Sequence, residues 1–245
     1  MVLINNSLYN PEIAELLGNF IGDGWIESSK DALYIAGSQI EDKEHYDTFV
    51  APTFSKYFIN VIPRKFSYWQ VYGIVSYKKK IVQKAINLGF QVGKKSHIAK
   101  IPNWIMESNN NGIILSVIRG IFDTDGCFNC KKAYGKYDKT WTKEHHCKPR
   151  IIFNLTSKTL VNQMCVLFSK INIDFRRYER MPKINLLRNN AKIYTIHINK
   201  YNHIEKWFNM IKTSNSRHQT RYDVWKKFGY LPPKTTINQR KKMLK

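Results

Sequence analysis

Two Asp-Gly pairs, Asp23-Gly24 and Asp125-Gly126, each close an apolar stretch with helical spacing, and they stand 102 residues apart. The longer segments overlay: AELLGNFIGDGWIE at 14–27 and SVIRGIFDTDGCFN at 116–129 place Gly18 on Gly120, Asp23 on Asp125 and Gly24 on Gly126. Chance would supply one such pair, because Asp-Gly is a common turn dipeptide. Two of them, each after the same kind of helix, mark an internal repeat. A carboxylate at a helix C-terminus meets the partial negative charge of the last carbonyls, and two neighbouring carboxylates repel each other. A divalent cation between them reverses that balance. Asp23 and Asp125 are therefore candidate metal ligands. The unsatisfied carbonyls of Gly22 and Thr124 are natural extra oxygen donors, and hard oxygen ligands suit Mg²⁺.

This chemistry requires two helices side by side. Ala14, Gly18 and Gly22 recur at i, i+4 and i+8, matched by Ser116, Gly120 and Thr124 under the same offset. Glycine inside a helix costs about 0.5–1 kcal/mol relative to alanine, so it calls for a packing reason. Small-residue faces let two backbones approach closely, while the large apolar residues point into separate cores. Asn10, Pro11 and Glu12 read as N-cap, first helical residue and first-turn acid. Gly24 and Gly126 read as left-handed residues that end the helices.

The order of elements then repeats. Strand-like stretches (33–38; 150–155) precede helices beginning near Asp42 and Ser157. Hairpin-like stretches follow (61–77; 175–199), and then short helices (78–88; 201–211). The pattern predicts an α+β fold of two pseudo-symmetric αββαββα repeats, 1–108 and 109–212, packed through their first helices, with a basic tail at 213–245.

Composition points to a polyanion. Forty Lys+Arg face 18 Asp+Glu, for a net charge of +22. Nucleic acid relieves such self-repulsion, and each neutralised phosphate releases counterion. An anionic membrane would favour a basic amphipathic helix or a short polybasic run, whereas here the charge is spread among Tyr, Trp and Asn. With 43% apolar residues the chain has material for a core. It shows no transmembrane-length apolar run and no secretory signal pattern. Four cysteines suggest no disulfide framework, which fits an intracellular protein, either cytoplasmic or within an organelle. Cys127-x-x-Cys130 followed by His145, His146 and Cys147 has types suited to Zn²⁺, but the spacing is loose and strand residues alternate faces, so structural zinc is not expected.

LLGNFIGDG (16–24) and IRGIFDTDG (118–126) resemble the paired motifs of LAGLIDADG homing endonucleases, as does IPNWI (101–105) ahead of the second. The resemblance spans residues 10–212. It implies a pseudo-twofold monomer whose antiparallel strands form a saddle in the major groove of a long, specific duplex DNA site. It implies double-strand hydrolysis with Mg²⁺, leaving 3′ overhangs, with Mn²⁺ or Ca²⁺ able to substitute in binding. The last acids of the motifs, Asp23 and Asp125, would bind the metals. The family's earlier acid is Ile21 in the first motif, so its counterpart Asp123 is not counted as catalytic. Gln39 matches the polar residue beside the attacking water, with Thr156 or Ser157 as its counterpart. Candidates for the family's lysine are Lys192, Lys131 and Lys78, with Lys192 preferred.

The DNA-reading candidates are Lys131, Lys132, Lys136, Lys139 and Arg150 on a long hairpin. Arg176, Arg177, Arg180, Lys183 and Arg188 lie farther along the site, and Arg64, Lys65, Tyr68 and Gln70 lie in the first repeat. Phosphate contacts would give register and polar tips would read base edges. The tail, with nine basic residues and one acid, is expected to wrap onto DNA or the protein surface. Two rivals share the scaffold: an RNA maturase that assists intron splicing, and a non-catalytic DNA-binding regulator. Retention of both acids favours cutting.

Overall fold

The computed structural model describes residues 8–67, 70–132, 146–181 and 192–245. The first half runs α1 (Pro11–Asp23), β1 (Gly24–Ile26), β2 (Leu33–Ser38), α2 (Lys43–His45), α3 (Ala51–Tyr57), β3 (Arg64–Phe66), β4 (Val71–Ser76) and α4 (Lys79–Leu88). A π-helical stretch, Tyr46–Val50, joins α2 to α3. The short α5 (Asn103–Met106) leads into the second half: α6 (Asn111–Asp125), β5 (Gly126–Lys132), β6 (His146–Leu155), α7 (Lys158–Lys170), β7 (Arg176–Arg180), β8 (Ile193–Ile198) and α8 (Tyr201–Lys206). Two further helices, α9 (Ser216–Phe228) and α10 (Ile237–Leu244), follow. Each half carries a four-stranded antiparallel sheet, in the orders β1-β2-β4-β3 and β5-β6-β8-β7. The fold is the α+β pair of αββαββα repeats that the sequence predicts. Among the described residues no helix is long and apolar enough to cross a membrane.

Local chemistry starts both central helices. The Asn10 side chain accepts from the Ile13 amide at 3.0 Å ahead of Pro11, and the Asn110 side chain accepts from the Gly112 amide at 2.8 Å. Their ends depart from expectation. Gly24 (φ −95°) and Gly126 (φ −80°) are extended, not left-handed. The chain passes straight from helix into strand, and the glycines provide room: a Cβ on Gly24 would lie 2.1 Å from the Phe20 ring, and one on Gly126 2.3 Å from the Phe122 ring.

The helices α1 and α6 meet backbone to backbone. A Cβ on Gly18 would lie 2.5 Å from the Val117 carbonyl oxygen, and one on Gly120 would lie 2.1 Å from that of Glu15. Rather than entering two separate cores, the large apolar residues share one continuous core: Phe20 packs on Phe90 of the first half, Phe122 on Phe153 of the second, and Leu16, Leu17, Ile118 and Ile121 belong to the same cluster. Around Phe122, the Phe153, Phe168 and Trp207 rings pack edge-on or tilted. The aromatic mass anchors α6 on its sheet, so the helix cannot back away from α1.

Strand alternation sorts each sheet into two faces. In the second sheet Phe128, Ile151, Phe153 and Ile196 face the helices. The register then puts Asn129, Lys131, Arg150, His197, Arg176 and Arg180 on the opposite face. Arg177 has the other parity: its guanidinium reaches Asn162 on α7 at 2.6 Å, on the helix-packed face rather than the expected DNA-reading face. Lys65 likewise pairs with Tyr72, whose hydroxyl donates to Asp47 beside the helices, while Arg64 takes the open face. Gln70 occupies the turn before β4 with φ +53°. Tyr68, Lys136, Lys139, Lys183 and Arg188 lie outside the described residues.

The C-terminal segment packs on protein. Tyr222 stacks on Phe208 at 3.9 Å, the Trp225 indole N–H donates to the Cys147 carbonyl at 3.3 Å, and the Leu231 amide donates to the His146 carbonyl at 2.8 Å.

A methyl group at the helix crossing should be costly. Gly120→Ala is expected to lower unfolding free energy by about 3 kcal/mol, because the atom it meets is backbone and cannot rotate away. Urea denaturation measures this. A loss under about 0.5 kcal/mol would show that α1 and α6 part without penalty.

Candidate active site

The close crossing delivers Asp23 and Asp125 to adjacent helix ends. A Cβ on Gly22 would stand 2.1 Å from Thr124 Oγ1 and 3.3 Å from the Asp125 carboxyl carbon. Asp23 is half-buried, and Asp125 is exposed where it opens onto a cavity of about 580 Å³. Protein encloses both on their other sides and raises both carboxyls above their usual range. Asp23 is pushed up to about 7, by this loss of solvation first and then by the charges of Asp125 and Asp42. Asp125 shifts in the same direction, opposed by Lys95 and Arg217.

The sequence reading overlooked Lys95 and Arg217. The Lys95 ammonium donates to the carbonyls of Ile21 and, at 2.9 Å, Gly22. The Arg217 guanidinium donates to the carbonyls of Asp123 at 3.0 Å and Thr124 at 3.2 Å. These carbonyl pairs are equivalent under the repeat, so one cation caps each helix end, where cations are favoured. The Gly22 and Thr124 oxygens, expected as metal ligands, are thus already engaged by protein cations. The pull of Asp125 and Asp23 offsets only part of the burial that lowers the pKa of Lys95.

No offset relates Lys95 to Arg217. Lys95 precedes the IPNWI segment within the first half. Arg217 opens α9, beyond the second repeat, where Asn215 caps the helix through its side chain. The preferred lysine, Lys192, is elsewhere: it pairs with Glu179 across the β7–β8 ladder on the second sheet. Lys131 lies exposed on β5, and Lys78 caps α4. Gln39 falls in the turn just past β2, three residues ahead of Asp42. Thr156 and Ser157 line the same cavity as Asp125 and Lys95. Their hydroxyls donate to the Ser96 and Ala99 carbonyls, both at 2.6 Å.

The two halves differ around their acids. Asp23 Oδ2 accepts from the Tyr46 hydroxyl at 3.1 Å. Buried Asp42 stands nearby, accepting from the Ser38 amide at 2.9 Å and the Asn215 side chain at 2.8 Å, and it pairs with Arg217 at 3.1 Å. The Asp125 carboxylate accepts no hydrogen bond among the described residues. Gly37 leaves the room Asp23 and Asp42 need, since a Cβ there would sit 2.7 Å from Asp23 Oδ2 and 2.9 Å from Asp42 Oδ2.

The donor set fits a divalent cation. Asp23 and Asp125 repel each other at adjacent helix ends, and a cation of charge two would relieve that repulsion. With the Gly22 and Thr124 carbonyls engaged by Lys95 and Arg217, the two carboxylates are the oxygen donors that would hold it. Asp123, one residue before Thr124, belongs to a different structure. Its carboxylate accepts from the Thr213 hydroxyl and the Ser214 amide, and burial pushes it up to about 8. Ser214 also donates to Glu15 on α1 at 2.5 Å. Residues 213–217 therefore clasp both central helices.

The chain has the fold of the LAGLIDADG homing endonucleases. Meganuclease I-AabMI bound to uncleaved DNA aligns over 96% of this chain and 97% of its own, with TM-score 0.55 and 13% identity. I-DmoI in complex with DNA and Mn aligns over 83% and 97%, with TM-score 0.51 and 16% identity. I-SmaMI bound to uncleavable DNA aligns over 91% and 90%, with TM-score 0.54 and 13% identity. No protein-family model and no curated protein matches the sequence.

The clasp carries a titratable group. His218 is fully buried against the Phe122 ring, 4.4 Å between centroids, and its Nε2 faces the Arg217 guanidinium at 3.2 Å. Burial, then Arg217 and Arg221, hold its pKa well below the ordinary histidine value. The unfolded chain takes up this proton near pH 6.5 while the folded chain does not. The stability from His218 is therefore complete above about 6.5 and is lost as pH falls, by about 1.4 kcal/mol per pH unit. Thermal or urea melts from pH 7 to 5 should show a shallower acid loss in His218→Gln than in the parent. Parallel slopes would mean that the imidazole is protonated in the fold.

Proposed function

We propose that the protein is a site-specific double-strand DNA endonuclease that hydrolyses phosphodiester bonds with a divalent metal and leaves 3′ overhangs. One observation carries the reading: Asp23 and Asp125 stand at the adjacent ends of helices that cross at Gly18 and Gly120, near enough for the charge of Asp125 to raise the Asp23 carboxyl. A mere polyanion binder has no use for a pair of mutually repelling acids at one point.

Bound at Asp23 and Asp125, divalent ions would make water a stronger nucleophile and stabilise the departing oxygen. The protein does the rest by position. Lys95 and Arg217 hold positive charge at the helix ends, where a phosphate with developing charge would lie. Gln39 in the first half, and Thr156 or Ser157 in the second, would orient water. Arg64, Lys131, Lys132, Arg150, Arg176 and Arg180 would follow the duplex, neutralising phosphates and reading base edges. Because one chain supplies both acids, it would act as a monomer. Mg²⁺ is the proposed working ion. Mn²⁺ is a suitable probe, since the I-DmoI complex holds Mn together with DNA.

The test is cleavage selection from a library of randomised duplexes in Mg²⁺. The parent should yield cut products from a defined sequence, and Asp23→Asn or Asp125→Asn should slow cutting by at least about 100-fold. Binding without cutting in the parent would favour a regulator. Cutting that survives both substitutions would end the metal proposal.

A second expectation follows from the raised acid. Asp23 must lose its proton before it can coordinate metal. With its carboxyl at about 7 in the metal-free protein, Mn²⁺ affinity should climb between pH 6 and 7 and level off above. Calorimetric titrations in buffers of different ionisation enthalpy measure both the climb and the released proton. A flat profile from pH 6 to 8 would place Asp23 outside the metal shell.

A further inference from the structure

A second cavity of about 440 Å³ lies between β5, the turn after β2 and the segment from Leu231 to Arg240. It is the counterpart, across the pseudo-twofold, of the cavity beside Asp125, which is bounded by β1, the end of β6 and the loop bearing Lys95. No carboxylate required by the proposed chemistry lines it. Its wall is cationic instead. Arg221, Lys234 and Arg240 line it with Thr235 and Thr236, and α10 begins at its rim.

Arg240 is the decisive group. It is 1% exposed. Its guanidinium donates to the Thr220 hydroxyl at 2.9 Å and to the Thr235 carbonyl. Its Nη2 has no hydrogen-bond partner, and Arg240 has no carboxylate within ion-pair distance among the described residues. Burying a guanidinium without a paired counter-ion is expensive, and here the repulsion of Arg221 and Arg217 is only partly offset by Glu41. Glu41, the one acid on this wall, is already shared between Arg221 at 3.2 Å and Arg217 at 4.0 Å. The cavity therefore has more positive charge than its own acids neutralise and a helix N-terminus facing it, while the Thr235 and Thr236 hydroxyls already donate to the Pro232 carbonyl and to Gln239.

We propose that this cavity is a binding site for a phosphate-class oxyanion, held by Arg221, Lys234 and the α10 N-terminus, with Arg240 supplying charge from behind the wall. Its source would be a backbone phosphate of bound DNA or free inorganic phosphate. The DNA source rests on the proposed function, whereas the anion site does not.

The test has two arms, both without metal. In the first, thermal melts follow added inorganic phosphate at constant ionic strength held with chloride. The parent's Tm should rise saturably, by about 3 °C at tenfold excess over Kd, and Lys234→Gln and Arg221→Gln should each abolish the rise. Lys234 is exposed, so Lys234→Gln remains foldable where Arg240→Gln fails, and it decides the outcome if the partly buried, Glu41-paired Arg221 does not tolerate substitution. In the second arm, a duplex of arbitrary sequence is titrated at several salt concentrations. If DNA supplies the phosphate, the slope of log affinity against log salt should shrink by about 0.9 in Lys234→Gln. Saturable stabilisation with an unchanged slope assigns the site to free phosphate. A Tm rise shared by parent and variants is general salting-out and overturns the proposal, as does no rise at all. Cleavage by the parent is read separately, so loss of the nuclease reading leaves the phosphate arm intact.

Discussion

The approach of α1 and α6 to backbone contact sets the position of everything else of consequence. Two glycines remove the side chains that would hold the helices apart, and the Val117 and Glu15 carbonyls occupy the vacated space. The gain is geometric. Side chains of ordinary size at the crossing would push the helix ends, and Asp23 and Asp125 with them, away from each other. The structure also accepts an electrostatic cost here, because two acids and eight terminal carbonyls converge on one region. Lys95 and Arg217 answer that cost directly, each bridging two carbonyls. The cations expected only from solution are thus partly supplied by the chain.

Much of this was legible in the sequence because it is periodic. Helical spacing at 13–21 and 113–122, the glycine stripe and the repeated Asp-Gly gave both central helices and their contact. The sheets followed from aromatic and β-branched stretches in a repeated order. What escaped is what periodicity does not encode. Gly24 and Gly126 were read as left-handed caps because glycine after a helix usually serves that role, yet here each makes room for a phenylalanine ring. Which face Lys65 and Arg177 take could not be read from the sequence, because strand parity depends on register with a neighbour, and one residue of phase moves a side chain from the open face to the helix layer. Lys95 and Arg217 do equivalent work from non-equivalent places in the chain, so no offset could link them. Lys192 drew attention among forty basic residues without any spacing to single it out.

The two sheets are alike in topology but not in surface. The open face of the second carries Arg150, Arg176, Arg180 and Lys131; burial first, then Arg150, Lys131 and Arg180, lower the His197 pKa. The corresponding face of the first is aromatic, with Trp25 stacked on Tyr34 at 4.5 Å and Tyr34 edge-on to Phe66. Duplication therefore preserved the frame and let each surface diverge, as suits a partner without twofold symmetry.

The clasp at 213–217 bears on how such a molecule could be taken apart. The first repeat carries its own helix-end cation, Lys95, whereas the second borrows Arg217 from beyond its last sheet element. Asp42, from the first repeat, helps hold that borrowed arginine in place. A second half excised at the end of its repeat would leave the Asp123 and Thr124 carbonyls without their guanidinium. Grafted onto a foreign first half, it would also meet a surface lacking Asp42. The halves look interchangeable in outline, but they are wired to one another, so modular recombination must carry the linker and its acceptor together.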